Sequence, residues 1–276
     1  MTSLAGAVIL SDEKRTVLFK NRDLLNTNHA DELFYDVDCF GIRGIDRATG
    51  EKSGLTVGVN RYGLAVASTH VHRTVDPNYD LLAEQITMFA KDAEDGLKMT
   101  RRHLNGGRKY QWGNLILADH DSVLVIEIAG SDHSIERSER KVLRTSHHIM
   151  LDTEETLRQS LAKNGKYEYE HSVNRLYRGY ELVKGMTDVN GVFSMLKDHG
   201  ENPSIESICA HNMKGEGPDT RRSYVIEVDH ARDAKRPSIL FHVAKGRPCE
   251  EQFISIPLVF PADEQVMERA RSMYFK

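Results

Sequence analysis

The chain opens MTSLAGAVIL, and its second residue is the first whose type and position could do chemistry. Removal of initiator Met1, which a neighbour as small as Thr2 permits, would leave a hydroxyl beside a free α-amine. A hydroxyl is a weak nucleophile at neutral pH, whereas an α-amine has a pKa near ~8 and lies within reach of its own side chain. One residue then supplies both nucleophile and general base. With Met1 retained, the same stretch is only an edge strand and a turn. Acyl transfer through such a residue also needs donors for the developing oxyanion, roughly 3–4 kcal/mol per donor, and a carboxylate to orient the amine. A second constellation is the histidines. His70 and His72 stand i, i+2 on one strand face and His147-His148 follow later, a set that could ligate the ion of a metal-dependent hydrolase. No acidic residue falls at ligand spacing beside them, so the expectation is no metal and no cofactor.

The elements that must position these groups alternate between strand and helix patterns. Residues 4–10 and 16–20 flank the charged turn SDEKR as a hairpin. Residues 55–69 hold two β-rich runs broken at Asn60-Arg61-Tyr62-Gly63, with Gly63 available for positive φ. From Tyr79 the period changes: Leu82, Ile86, Phe89, Ala90, Ala93 and Leu97 recur at helical spacing, and Gly106-Gly107 stops the run. Strands are predicted over 114–118, 123–128 and 141–145. A further helix is predicted to carry Val173, Leu176, Tyr177, Tyr180 and Val183 on one face. Residues 223–228 and 239–244 pair across a polar loop, and PCEEQFISIPL closes the sheet system. Hairpins separated by helical blocks predict antiparallel sheets with helices outside, an α+β layering.

Across the 276 residues no Pro/Gly/Ser-rich linker interrupts the pattern, so one domain over 1–276 is expected. The formal charge of −4 with scattered basic residues argues against a nucleic-acid partner. Cys39, Cys209 and Cys249 are too few and too far apart in sequence for a disulfide framework or zinc ribbon and fit a reducing compartment. The start lacks the basic region of a signal peptide, and no apolar run approaches the ~18 residues of a membrane helix. A protein of the cytoplasm, away from membranes, is expected.

The blocks FKNRDLL, GVNRYGLAVAS, GNLILADHDSVLVIEIAG, ICAH and AKGRPCEEQF, in that order over almost the whole chain, resemble those of N-terminal nucleophile (Ntn) hydrolases acting on linear amide C–N bonds. Within that superfamily the chain is similar to the penicillin-acyltransferase-like and choloylglycine-hydrolase-like groups, and its Asn-Arg-Asp triplet is similar to that of NRDE-motif proteins. The resemblance implies a four-layer αββα sandwich of two antiparallel sheets between helices. It implies an amidase or acyltransferase working through an acyl-enzyme on a small-molecule amide, and it is compatible with a homo-oligomer. It further implies that Asp23 contacts the nucleophile's amine, that Lys20 stands where many members have Arg near the substrate, that Asn21 of the same turn is a substrate-side residue, and that Arg175 lines the site from a helix.

The sequence also departs from the family. The family nucleophile in these groups is Cys, and none precedes Cys39. MTSL aligns in two ways: Thr2 replaces Cys, or Met1 occupies its place and the protein is an inactive binding or regulatory module. Thr69 or His70 stands where an oxyanion-binding Asn is usual, and Ser146 takes the place of a second. A neutral His70 could still donate through a ring N–H. Outside this set, Cys209 and Cys249 are expected as buried small hydrophobes, Trp112 as a packing residue, TEETLRQSLAKNGKYEYEH as a solvated helix or loop, and KGEGPDTRR as a mobile turn beside the pocket.

Overall fold

Alternation along the strand RTVLFKNRDL explains how one segment serves two layers. Successive side chains of a strand point to opposite faces. In β2 (Arg15–Leu24), Leu18 joins one apolar core while Val17 and Phe19 join another. Lys20 and Arg22 continue the first face, and Asn21 and Asp23 the second. The computed structural model describes residues 3–10, 15–24, 29–160, 165–212, 218–230 and 236–275.

β2 pairs with β1 (Ser3–Leu10) as the expected hairpin and with β11 (Asp219–Asp229) on its other edge. The six-stranded sheet runs β10-β1-β2-β11-β12-β13, with β10 at Lys141–Arg144, β12 at Ser238–Ala244 and β13 at Ile254–Leu258. The seven-stranded sheet is a meander in chain order: β3 (His29–Tyr35), β4 (Cys39–Asp46), β5 (Lys52–Asn60), β6 (Ala65–His72), β7 (Tyr110–Ala118), β8 (Val123–Gly130) and β9 (Asp132–Ser138). Every neighbouring pair in both sheets is antiparallel. The sheets bury their facing sides against each other, with Ala5, Leu18 and Phe241 meeting Phe40, Val57 and Ile116.

Helices cover both outer faces. α1 (Asp80–Phe89) and α2 (Ala93–Asn105) pack Leu82, Ile86 and Leu97 on Val66, Leu117 and Ile126 of the seven-stranded sheet. On the six-stranded sheet, α4 (Gly165–Val183) and α5 (Val189–Leu196) bring Leu176, Val183, Val192 and Leu196 onto Leu4, Val8 and Phe19. Short α3 (Glu154–Ser160) precedes α4, and C-terminal α6 (Glu264–Phe275) adds Ala270 and Tyr274 to the intersheet core. This is the expected αββα layering.

Local chemistry corrects several details. The helical run from Tyr79 is two helices, because Asp92 caps a new start by accepting from the Asp95 N–H at 2.7 Å. The face of α4 is rotated from the prediction: Tyr177 is exposed, while Ser172, Arg175, Leu176, Gly179 and Val183 form the buried stripe. β3, β4 and β9 were not predicted, since their mixed polarity gives no clean alternation. Of KGEGPDTRR, the DTRR part belongs to β11 and residues 214–217 lie outside the described residues. At the β5–β6 hairpin Gly63 takes φ +82 as expected, and the Asn60 carboxamide accepts from the Tyr62 and Leu64 N–H groups.

Candidate active site

Strand register brings the start of the chain to β2 and to the loop after β10. Ser3 pairs with Arg22, next to Asp23, and Ala5 pairs with Arg144. The Ser3 N–H donates to Ser146 Oγ at 3.0 Å. Ser146 itself is fixed by its neighbours. Thr145 donates its hydroxyl to Ser172 O at 2.9 Å, and His147 Nδ1 lies 2.8 Å from Ser172 Oγ. Further along the loop, buried Glu127 accepts from the backbone N–H groups of Ile149, Met150 and Leu151 at 2.9, 2.9 and 3.0 Å and from Arg144 Nε at 3.0 Å. Those donors outweigh burial and hold its carboxyl below the usual range.

Asp23 is buried on the α4 face of β2. Its Oδ1 accepts from Thr220 Oγ1 of β11 at 2.7 Å, and its Oδ2 lies 3.4 Å from Arg175 Nη1 of α4. Arg175 is fully buried, which lowers its pKa, and Asp23 opposes that shift. Its Nη1 also donates to Ile205 O at 3.3 Å; its Nε and Nη2 have no hydrogen-bond partner among the described residues.

A cavity of about 850 Å³ opens beside Ser3 and is lined by Lys20, Arg22, Asp23, His70, Arg73 and Tyr79 among others. Burial pushes the His70 imidazole down to about 3, reinforced by His72, Arg73 and Lys20, so the ring is neutral at pH 7. Tyr79 packs over Gly113, the register partner of His70, where a Cβ would meet its ring at 2.4 Å. Lys20 donates from Nζ to Thr56 Oγ1 and to Ser68 O, each at 2.5 Å. Burial lowers its ammonium to about 8, with Asp80 opposing. Ser68 in turn donates to Asp80 Oδ1 at 2.5 Å.

The family's sequence profile matches residues 10–218 under the description acyl-coenzyme A:6-aminopenicillanic acid acyl-transferase. The chain belongs to that family. Its chemistry is that of Ntn-type amide hydrolases and acyltransferases. Solved structures share the fold. A mutant conjugated bile acid hydrolase from Clostridium perfringens superposes with TM-score 0.54 at 10% identity, over 93% of this chain and 92% of that one. An N-acylethanolamine-hydrolyzing acid amidase (NAAA) ortholog from Caenorhabditis elegans gives TM-score 0.50 at 10% identity, over 82% and 92% of the two chains. A second variant of the bile acid hydrolase gives 0.50 at 9% identity, over 95% and 99%. No curated protein matches the chain.

Within this family frame, Asp23, Arg175 and Ser146 converge on the segment at Ser3, and Lys20 and His70 line the cavity beside it. Thr2 lies outside the described residues. Asn21 and Thr69, expected at the substrate, are both buried and hydrogen-bonded within the protein. Asn21 donates to Leu196 O and Ile208 O at 3.0 and 2.9 Å and accepts from Ser223 Oγ at 2.5 Å. Thr69, wholly buried, donates to Thr145 O at 2.9 Å and accepts from Asn114 Nδ2 at 2.9 Å. The four histidines considered for a metal do not converge: His72 packs on Trp112, His147 turns to Ser172, and His148 Nδ1 lies 3.0 Å from Thr153 Oγ1. Sequence reasoning missed Thr220 and Asn114. The Asn114 clue was a polar residue inside the apolar strand GNLILA; Thr220 sat in a segment taken for a loop.

Proposed function

We propose that the protein is an amidase or acyltransferase on a small linear amide, with Thr2 as nucleophile and its α-amine as base. The observation that carries this reading is the buried Asp23 carboxylate, one residue from the register partner of Ser3, to which Thr2 is bonded. A carboxylate held there by Thr220 and Arg175 suits an ammonium at the chain start. The amine takes the hydroxyl proton as Oγ attacks the amide carbon. The resulting oxyanion is met by backbone N–H groups, with neutral His70 and Ser146 as further donors. Collapse breaks the C–N bond, the ammonium returns its proton to the leaving amine, and an ester at Thr2 remains. Water or a second amine then takes the acyl group. The charged lining of the cavity favours substrates with polar groups.

Intact mass of the purified protein should show loss of one methionine. Thr2→Ala should abolish amide cleavage while leaving the circular dichroism spectrum unchanged. A folded Thr2→Ala protein with full activity would refute Thr2 as nucleophile, and a retained Met1 would direct attention to the cavity as a binding site.

A further inference from the structure

Cys209 and Cys249, far apart in sequence, come together at one end of the six-stranded sheet. Their Sγ atoms lie 3.5 Å apart. His211 Nε2 completes a triangle, 3.2 Å from Cys249 Sγ and 3.7 Å from Cys209 Sγ. His199 arrives from the segment after α5, so that the ligand atoms of His199, His211 and Cys249 fall within 4.8 Å of one another. We propose that His199, Cys209, His211 and Cys249 form a structural site for a tetrahedral zinc-type cation, separate from the amide-cleaving centre.

Three observations support it. First, zinc bonds of ~2.3 Å to sulfur and ~2.0–2.1 Å to nitrogen put neighbouring corners of a tetrahedron about 3.3–3.8 Å apart, and the three measured edges lie at or close to that range. A Cys2His2 donor set selects zinc among common cations. Second, the backbone holds these residues independently of any ion. The Cys209 N–H donates to Asp198 O at 2.9 Å, the His211 N–H to Ser204 O at 2.9 Å, and the Glu250 and Glu251 N–H groups close a turn onto Arg247 O beside Cys249. Third, His199 Nδ1 lies 3.0 Å from Gly200 O. A carbonyl only accepts, so Nδ1 carries the proton and Nε2 keeps the lone pair a metal needs. Paired thiols alone would account for the sulfur contact but not for the His211 imidazole seated on both sulfurs with a second imidazole, His199, near Cys249.

The site is coupled to Asp23 through one residue. Ala210, between the ligands Cys209 and His211, donates its N–H to Thr220 Oγ1 at 2.8 Å and accepts from the Thr220 N–H at 3.0 Å. Thr220 Oγ1 donates to Asp23 Oδ1. An ion binding there, with loss of two thiol protons, would clamp the segment that orients the carboxylate.

The test is metal analysis of the full chain purified without chelator, followed by cobalt titration of the metal-depleted protein under reductant. One zinc or cobalt per chain is expected, with thiolate-to-cobalt charge-transfer absorption and the intense visible bands of tetrahedral cobalt. Cys249→Ser and His211→Ala should lose that stoichiometry, and Cys39→Ser should keep it. Should the first two fail to fold, His199→Gln, at the more open corner, should weaken cobalt binding by roughly tenfold or more. Two titratable thiols with no cobalt bands would overturn the proposal, as would a reductant-sensitive disulfide between Cys209 and Cys249 in protein that binds no metal after reduction. Because the readout is bound metal, it is independent of whether Thr2 is the nucleophile.

Discussion

The two faces of β2 bury charge in different ways. Between the sheets, Arg22 Nε and Asp31 Oδ1 form an ion pair at 2.8 Å, though neither atom has a hydrogen-bond partner among the described residues; Tyr224 donates to the other Asp31 oxygen at 2.7 Å, and Lys20 has two acceptors at 2.5 Å. Under α4, Asp23 and Arg175 stand 3.4 Å apart, and two guanidinium nitrogens of Arg175 have no hydrogen-bond partner among the described residues. Burying charge is costly unless each group is paired and bonded. The close pairing fits a structural role in joining two sheets. The loose pairing costs stability and is what a site gains when it must hold a charge that comes and goes.

Breaking the intersheet pair should therefore hurt most. Asp31→Ala strands the Arg22 guanidinium, whose side chain is only 12% exposed. Removing one partner of such a pair typically costs about 3–5 kcal/mol, which urea unfolding would measure. A loss below about 1 kcal/mol would mean that the intersheet network is no tighter in energy than it is on the α4 side, and the contrast would fail.

A pH experiment probes the α4 side next. Burial lowers His147 to about 4, with Arg144 adding to the shift and Glu127 opposing it. The folded state thus keeps this ring neutral while the unfolded chain protonates it below its ordinary value of 6.5. Between pH 6.5 and 4 the unfolded state binds more protons, so this group's contribution is full above 6.5 and is lost as pH falls to 4. At 1.36 kcal/mol per unit the loss is on the order of 3 kcal/mol for this 5%-exposed residue. Stability of His147→Gln measured at pH 7 and 4.5 should change less than that of the parent. An equal change would remove His147 from the acid limb.

What the sequence made legible follows from range. The hairpins, the helical periods and Asp23 in FKNRDLL are local signals, and the order of blocks pointed to the αββα layers. The partners of Asp23 are not local: Thr220 comes from β11 and Arg175 from a face of α4 that the Tyr177 assignment had rotated out of the core. Asn21 and Thr69 show how strand parity assigns partners that sequence does not: Asn21 turns to Leu196 of α5 and Thr69 to Thr145. The clustering of Cys209, His211 and Cys249 was invisible for the same reason, because the two cysteines lie 40 positions apart in the sequence.

The smallest expected effect discriminates most sharply between structure and function. Thr220→Val keeps the side chain's shape, yet removes the donor to Asp23 Oδ1 and the acceptor for the Ala210 N–H. A hydrogen bond to a charged group is worth about 1.5–3 kcal/mol, so a loss near the lower end is expected on unfolding. If the α4 face orients the nucleophile's amine, kcat for amide cleavage should also fall roughly tenfold with KM little changed, since the lost contact acts on orientation rather than substrate binding. Thr220→Ser, which restores the hydroxyl, should recover kcat before it recovers stability. A variant that loses stability but keeps kcat would show that Asp23 and Thr220 merely brace α4 against β11, as Arg22 and Asp31 brace the sheets, and the two faces of β2 would then differ in tightness alone.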